Sequence, residues 1–257
     1  MLMIQESNVK ATLERFNADG FMALTGFICG SELSDLMDHV DRFICEIIPG
    51  MPAEHVFYED KHDSRSLKQI QQMGEYDSWF DHLLRRGTCI EVAELLLGGP
   101  VVPKNLQYFN KPPGVGMPTP AHQDGHYFML HPCEAVTMWL SLDQVDEENG
   151  CVRYVRGSHK LGLREHARTQ TLGFSQGIVD YPSPEDSEQE IAMVAAPGDL
   201  LVHQAMTIHR ADGNRSDTRT RRALGLIYYS ERAKQDEKSH RAYQEKLTEE
   251  MRQQRKI

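Results

Sequence analysis

The chain has 257 residues, with 28 Lys+Arg against 38 Asp+Glu, so its formal net charge is −10. That length suits one domain with a substantial core, and 40% hydrophobic residues exclude a disordered or fibrous chain. The acidic balance argues against nonspecific binding to nucleic acid or to an anionic membrane surface, since both reward clustered Lys and Arg. The odd feature is twelve histidines against two tryptophans.

The opening MLMIQESNVK has no basic start followed by an apolar run, so no signal peptide is expected. No stretch reaches the roughly 18 apolar residues of a spanning helix. The five cysteines, Cys29, Cys45, Cys89, Cys133 and Cys151, are odd in number, widely spaced and form no CxxC. They read as unpaired thiols in a reducing cytoplasm, not as a disulfide framework or a thiolate zinc site.

Residues 1–100 read as a helical layer. Thr12 to Phe16 precedes a turn at Ala18-Asp19-Gly20, and a helix opening on a Ser31 cap keeps apolar residues near helical spacing through Phe43, Ile44 and Ile47 until Gly50 and Pro52. Further helices fit Ser78 to Arg86 and Ile90 to Leu97, the latter closed by Gly98-Gly99-Pro100. From 101 to 230 the pattern changes to short runs rich in β-branched and aromatic residues, broken by Gly, Pro, Asn and Asp. Leu106–Phe109, His126–Leu130, Val136–Leu140, Cys151–Val155, Leu200–His203 and Ala223–Tyr229 are strand candidates, at a spacing that suits an antiparallel sandwich or barrel. Residues 231–257 read as a terminal helix, with Tyr243, Leu247 and Met251 on one face. With no repeat or low-complexity linker, the chain reads as a single domain.

The chemistry concentrates around His122-Gln123-Asp124. Residues two apart on a strand share a face, so His122 and Asp124 would set an imidazole beside a carboxylate. Alone this pair is a weak signal, and a third ligand must come from elsewhere in the sheet; His209 supplies it. Two histidines and one carboxylate on one side of a metal leave the opposite positions open, which is the arrangement of Fe(II) oxygenases. Arg221 follows His209 at 221 − 209 = 12 positions and opens an apolar run. Period two puts Arg221 and Arg222 on opposite faces, so at most one of them looks inward with Ala223 and Gly225, where it would offer a bidentate fork to a carboxylate such as the distal one of 2-oxoglutarate. A surface charge beside Arg222 and Arg219 is the plainer alternative.

At these residues the chain resembles the phytanoyl-CoA dioxygenase-like (PhyH) family of Fe(II)/2-oxoglutarate oxygenases. The resemblance runs from Phe16-Asn17-Ala18-Asp19-Gly20-Phe21 to Tyr229. Its marks, in order, are Asn110-Lys111-Pro112-Pro113-Gly114, His122-Gln123-Asp124, Trp139, Glu148-Asn149-Gly150-Cys151, Gly157-Ser158-His159-Lys160, Pro197-Gly198-Asp199, and His209 with Arg221. It implies that His122, Asp124 and His209 ligate iron and that Arg221 clamps 2-oxoglutarate, with Trp139, Thr137, Gln107 and Gln69 as further co-substrate contacts. Lys68 neighbours Gln69, so the register there is open by one residue. The chain departs from the family at Ala211, where a serine often contacts 2-oxoglutarate, and its His-to-Arg spacing is one residue longer. Asp124 is retained, whereas related halogenases carry a small residue there, so hydroxylation is the implied outcome.

His203 lies 209 − 203 = 6 positions before His209 and competes with it as a ligand, but the Arg- and Asn-containing turn after His209 fits a ligand better. His126 shares parity with the ligand pair and would border the site, though an ordinary half-buried histidine explains it equally well. His159 reads as tying a turn. His39, His55, His62, His82, His131, His166 and His240 read as surface residues. Tyr58, in Phe57-Tyr58-Glu59-Asp60, and Gln176, in the loop Leu172–Ile178, are candidate substrate contacts together with Arg153. Glu185-Asp186-Ser187-Glu188 reads as a solvated acidic loop.

The expectation is therefore a mainly β, α+β protein: a double-stranded β-helix (jelly-roll, cupin-like) core with an N-terminal helical layer and a C-terminal helix. With Fe(II), 2-oxoglutarate and O2 it would hydroxylate a small organic metabolite, as a cytoplasmic monomer or homo-oligomer with no nucleic-acid or membrane partner. A cupin-like metal-dependent isomerase or hydrolase would share the metal ligands but have no use for Arg221 and Trp139. A non-catalytic metal-binding module would not need the intact ligand set.

Overall fold

The computed structural model describes residues 6–169 and 176–253. Two antiparallel sheets face each other. The larger has seven strands in the order Phe21–Leu24, Leu200–Gln204, Ala135–Ser141, Ala223–Ser230, Val101–Phe109, Leu67–Ile70 and Val56–Tyr58. The smaller has four, in the order Glu190–Met193, Val152–Val155, His209–Ala211 and Thr119–His122. This is the expected jelly-roll core.

Every residue of Ala135–Ser141 and of Ala223–Ser230 is buried, because the large sheet is covered on both faces. Val136, Met138, Leu140, Leu224, Leu226 and Tyr228 face outward into a core shared with the helices. Those helices, Gly30–Arg42, Ser78–Arg85 and Thr88–Leu97, contribute Leu36, Val40, Phe80, Leu84, Val92 and Leu96 to it. The Tyr228 hydroxyl donates to the Leu84 carbonyl at 2.8 Å and ties sheet to helix. Alternate residues (Trp139, Leu201 and Ala223) turn inward to meet Phe21 and Tyr154 between the sheets. Helices on one face and chemistry on the other follow directly from period two.

Several sequence expectations are corrected here. The first hundred residues are not only helical, since Phe21–Leu24, Val56–Tyr58 and Leu67–Ile70 extend the large sheet at both edges. Three- and four-residue strands are too short to show alternation. The helix expected to open on Ser31 starts at Gly30 with Cys29 as N-cap and no side-chain cap bond. His126–Leu130 is not a strand: Asp124–Phe128 is a short helix, followed by a two-residue strand, Leu130–His131. Glu185–Glu188 lies in the helix Pro184–Gln189, whose Ser183 and Asp186 form a capping box. Asp186 is buried against Arg164 (2.6 Å) instead of solvated. The terminal helix is Glu237–Gln253. Within the loop 172–178, residues 172–175 lie outside the described residues.

Gly198, in the Pro197-Gly198-Asp199 turn, has φ +86°, and a Cβ there would stand 1.9 Å from the Ile28 carbonyl oxygen. Its own N–H and C=O bond Ser141 and Ile28 at 2.8 and 3.0 Å, so the turn cannot relax away. Gly198→Ala is expected to cost more than about 2 kcal/mol of stability, read as a lower urea midpoint; an unchanged midpoint would show that the turn yields.

Candidate active site

His122 ends the strand Thr119–His122, and Asp124 begins the helix Asp124–Phe128 with Gln123 as its N-cap. The two side chains converge across a strand-to-helix turn, not along a strand face as the spacing implied. His209 opens the strand His209–Ala211 and pairs directly with His122. Ligand atoms of His122, Asp124 and His209 all lie within 4.8 Å of one another. Both Nε2 atoms are 3.6 Å from Asp124 Oδ1.

Backbone carbonyls fix which ring nitrogens face inward. His122 Nδ1 donates to the Pro120 carbonyl at 2.8 Å and His209 Nδ1 to that of Thr207 at 3.0 Å. With Nδ1 carrying the proton, each Nε2 keeps its lone pair for a cation. Burial, followed by the neighbouring His122 and His203, holds the His209 imidazole well below the usual histidine range and so neutral. Burial alone would raise Asp124, but the facing His209, then His122 and His203, outweigh it and keep the carboxyl well below its usual range. Two imidazoles and a carboxylate match the donor set of a first-row divalent metal.

Toward the other end of the inner face, Arg221 is buried with its guanidinium 5.3 Å from the Trp139 ring centroid. Burial pushes it down to about 10, and its Nε has no hydrogen-bond partner. Arg222 instead faces outward to Asp143 at 2.8 Å, as period two requires. A buried guanidinium nitrogen without a partner is costly, so the position calls for an anion that none of the described residues provides. Nearby Lys111 is held well below the usual lysine range by burial, then by Arg221 and Lys68, so its amine is driven toward the neutral form beside the guanidinium. Gly225 pairs with both Trp139 and Gln107; a Cβ there would meet the Phe109 ring at 2.6 Å, so the glycine keeps this face open.

The other expected residues are distributed as follows. Gln69 donates to Gln107 Oε1 at 2.9 Å on the inner face, while Lys68 pairs with Glu59 at 3.2 Å. Thr137 is at the site, but its hydroxyl donates to Asp124 Oδ2 at 2.5 Å. Gln176 reaches the mouth through its backbone, whose carbonyl accepts from the Tyr127 hydroxyl at 2.9 Å. The Tyr127 ring lies 5.8 Å from that of His122 and 6.2 Å from that of Tyr243 on the terminal helix. His126 lies beside the site with its ring stacked 4.3 Å from His166, and burial pushes it down to about 4. His166 is thus no free surface histidine: its Nε2 accepts from the Gln123 N–H at 3.1 Å.

Two candidates do not reach the site. Arg153 alternates with Tyr154 and points outward, into ion pairs with Glu147, Glu190 and Asp212. Tyr58 packs on the helix-side core, whereas its neighbour Phe57 is buried opposite Gln69.

A model of the family described as phytanoyl-CoA dioxygenase (PhyH) matches residues 16–223. The chain belongs to the phytanoyl-CoA dioxygenase family. Among its relatives, "Phytanoyl-CoA dioxygenase 1" of Oryza sativa subsp. japonica is 31% identical, over 83% of this chain and 86% of that protein. The peroxisomal phytanoyl-CoA dioxygenase of Mus musculus is 24% identical over 82% of this chain, and the match spans only 66% of the mouse protein. Among solved structures, EctD from S. alaskensis with 2-oxoglutarate and 5-hydroxyectoine has a TM-score of 0.71 at 19% identity, covering 86% of this chain and 75% of that one. The epimerase SnoN, in complex with Fe3+, α-ketoglutarate and nogalamycin RO, has a TM-score of 0.70 at 20% identity, covering 88% and 85%. These two likenesses establish the family's jelly-roll fold for this chain.

A ligating imidazole must be neutral, so protons compete with metal. Because burial holds the His209 imidazole well below the usual histidine range, Co(II) affinity should hold as pH falls from 7 to 6 and fail only in more acid solution. Half-loss of affinity above pH 6.5 in a calorimetric titration would contradict this assignment.

Proposed function

We propose that this chain is a non-haem Fe(II)- and 2-oxoglutarate-dependent dioxygenase that hydroxylates a C–H bond of a small organic metabolite, with succinate and CO2 as co-products. One observation carries the reading: an inward His-Asp-His cluster shares its sheet face with a buried arginine whose Nε lacks a partner. Thr137, beside Asp124, and Trp139, beside Arg221, are two residues apart on one strand, about 7 Å, a distance on the scale of a five-carbon dicarboxylate.

Bound at the cluster, Fe(II) with 2-oxoglutarate and O2 supplies the oxidising chemistry. The chain's own residues orient and shield. His122, His209 and Asp124 would hold the metal from one side and leave the other side for co-substrate and oxygen. Arg221 would pair with the distal carboxylate, and Trp139 beneath it restricts the guanidinium to one plane. Gln69 and Gln107 are bonded to each other; turning both amides over keeps that bond and frees an N–H of Gln69 for the same carboxylate. The buried surroundings exclude water and strengthen each of these contacts. Ala211 is buried without a hydroxyl, so the chain relies on Arg221 and the amides where relatives often use a serine. Retention of Asp124 supports hydroxylation, and a cupin-like isomerase or hydrolase would leave Arg221 without a role. A relative named as a probable α-ketoglutarate-dependent hypophosphite dioxygenase, from Stutzerimonas stutzeri at 22% identity, supports the same co-substrate.

The substrate proposed is a small polar metabolite, a reading supported by the net charge of −10, which disfavours a large polyanion on the scale of coenzyme A. Five free cysteines support a reducing, cytoplasmic setting. Among the described residues no helix is long and apolar enough to cross a membrane.

Anaerobic addition of Fe(II) and 2-oxoglutarate should produce a visible metal-to-ligand charge-transfer band. Arg221→Gln removes one partner of a buried charge pair, a loss of about 2 kcal/mol or more. The 2-oxoglutarate concentration at half-saturation should therefore rise about 30-fold or more. A band absent from the wild type, or equally strong in His209→Ala, would refute the proposal.

A further inference from the structure

Asp124 Oδ1 faces both ligand imidazoles, but Oδ2 is already engaged. It accepts from Thr137 Oγ1 at 2.5 Å and lies 3.1 Å from His203 Nε2. On the far side of the imidazole, His203 Nδ1 is 3.0 Å from the Tyr154 hydroxyl. Tyr154 is fully buried and His203 nearly so. A neutral imidazole has one donor nitrogen and one acceptor nitrogen. Asp124 is a carboxylate and can only accept, so Nε2 carries the proton and Nδ1 accepts from Tyr154. That assignment satisfies the Tyr154 hydroxyl, both His203 nitrogens and Asp124 Oδ2. It also leaves His203 no lone pair toward the cluster, although its ring lies 4.2 Å from that of His209.

We propose that His203 is a positioning residue: with Thr137 it reserves Oδ2 and thereby makes Asp124 a one-oxygen ligand through Oδ1. Without those two bonds the carboxylate could turn and offer both oxygens, closing one of the positions the reaction needs open. The sheet builds the arrangement in, because His203 pairs with Thr137 across neighbouring strands and both face inward. Tyr154 pairs with His209 on the opposite sheet, so one hydrogen-bonded chain links the two sheets behind the metal ligands. This inference rests on the proposed metal centre but concerns a residue that is not a ligand.

The test uses Co(II) as probe, by calorimetry and visible absorption, on the full chain without turnover. His203→Phe keeps a ring and loses both hydrogen bonds, while His203→Gln keeps a donor near the Nε2 position. The phenylalanine variant should bind Co(II) 10–100-fold more weakly with an altered d–d spectrum, and the glutamine variant should recover most of the affinity and the wild-type spectrum. Should His203→Phe not fold, Thr137→Val, which removes the other bond to Oδ2 at nearly constant shape, carries the same expected loss and spectral change. Affinity and spectrum within twofold of wild type in the folded variant would overturn the proposal and leave the metal centre standing. Weakened binding that His203→Gln does not restore would overturn it too, since packing alone would then explain the loss. A wild type that binds no Co(II) would instead refute the metal centre itself.

Discussion

The buried carboxylate of Asp124 is the group on which the rest of the site depends. An ionised carboxylate taken out of water is costly unless it is paired and hydrogen-bonded. Here Thr137 and His203, from the large sheet, hydrogen-bond its Oδ2, while Oδ1 faces the Nε2 atoms of His122 and His209 from the small one, where a divalent cation would complete the pairing. Such a constellation exists only if the sheets close on one another at this point. The apolar inner face between Trp139, Leu201, Phe21 and Tyr154 supplies the force that closes them.

The second constraint is the opposite charge further along the same face. Arg221 gives up water for a place over Trp139 without a carboxylate of its own. A net charge of −10 therefore describes the outer surface, while this part of the interior holds the buried Arg221 guanidinium, its Nε without a partner. A small dicarboxylate that meets a metal with one end and Arg221 with the other satisfies both halves at once.

Much of this was legible in the sequence because period two survives in long strands. Parity puts Thr137 and Trp139 on one strand face and Arg221 opposite Arg222, and the family resemblance says which of these faces looks inward. Where elements are short, parity misleads. The turn after His122 is a strand end followed by a helix start, so the ligands converge for a reason that spacing alone does not contain. Tyr58, a candidate substrate contact, sits in a three-residue strand that carries a register shift, and Arg153, another, alternates with the buried Tyr154; neither facing can be read from so short a run. His203 and His166 carry no local signal at all: their partners, Asp124 and Gln123, are distant in sequence and adjacent only after the sheets close. The twelve histidines thus divide into two ligand candidates, a small group bordering them, and others that serve packing or solvent.

The most direct measurement is an anaerobic crystal structure with Mn(II) and 2-oxoglutarate. The account predicts density for one metal on His122 Nε2, His209 Nε2 and a single oxygen of Asp124, with the distal carboxylate of 2-oxoglutarate against Arg221. Metal held by His203, or a 2-oxoglutarate carboxylate that leaves Arg221 without a partner, would contradict it.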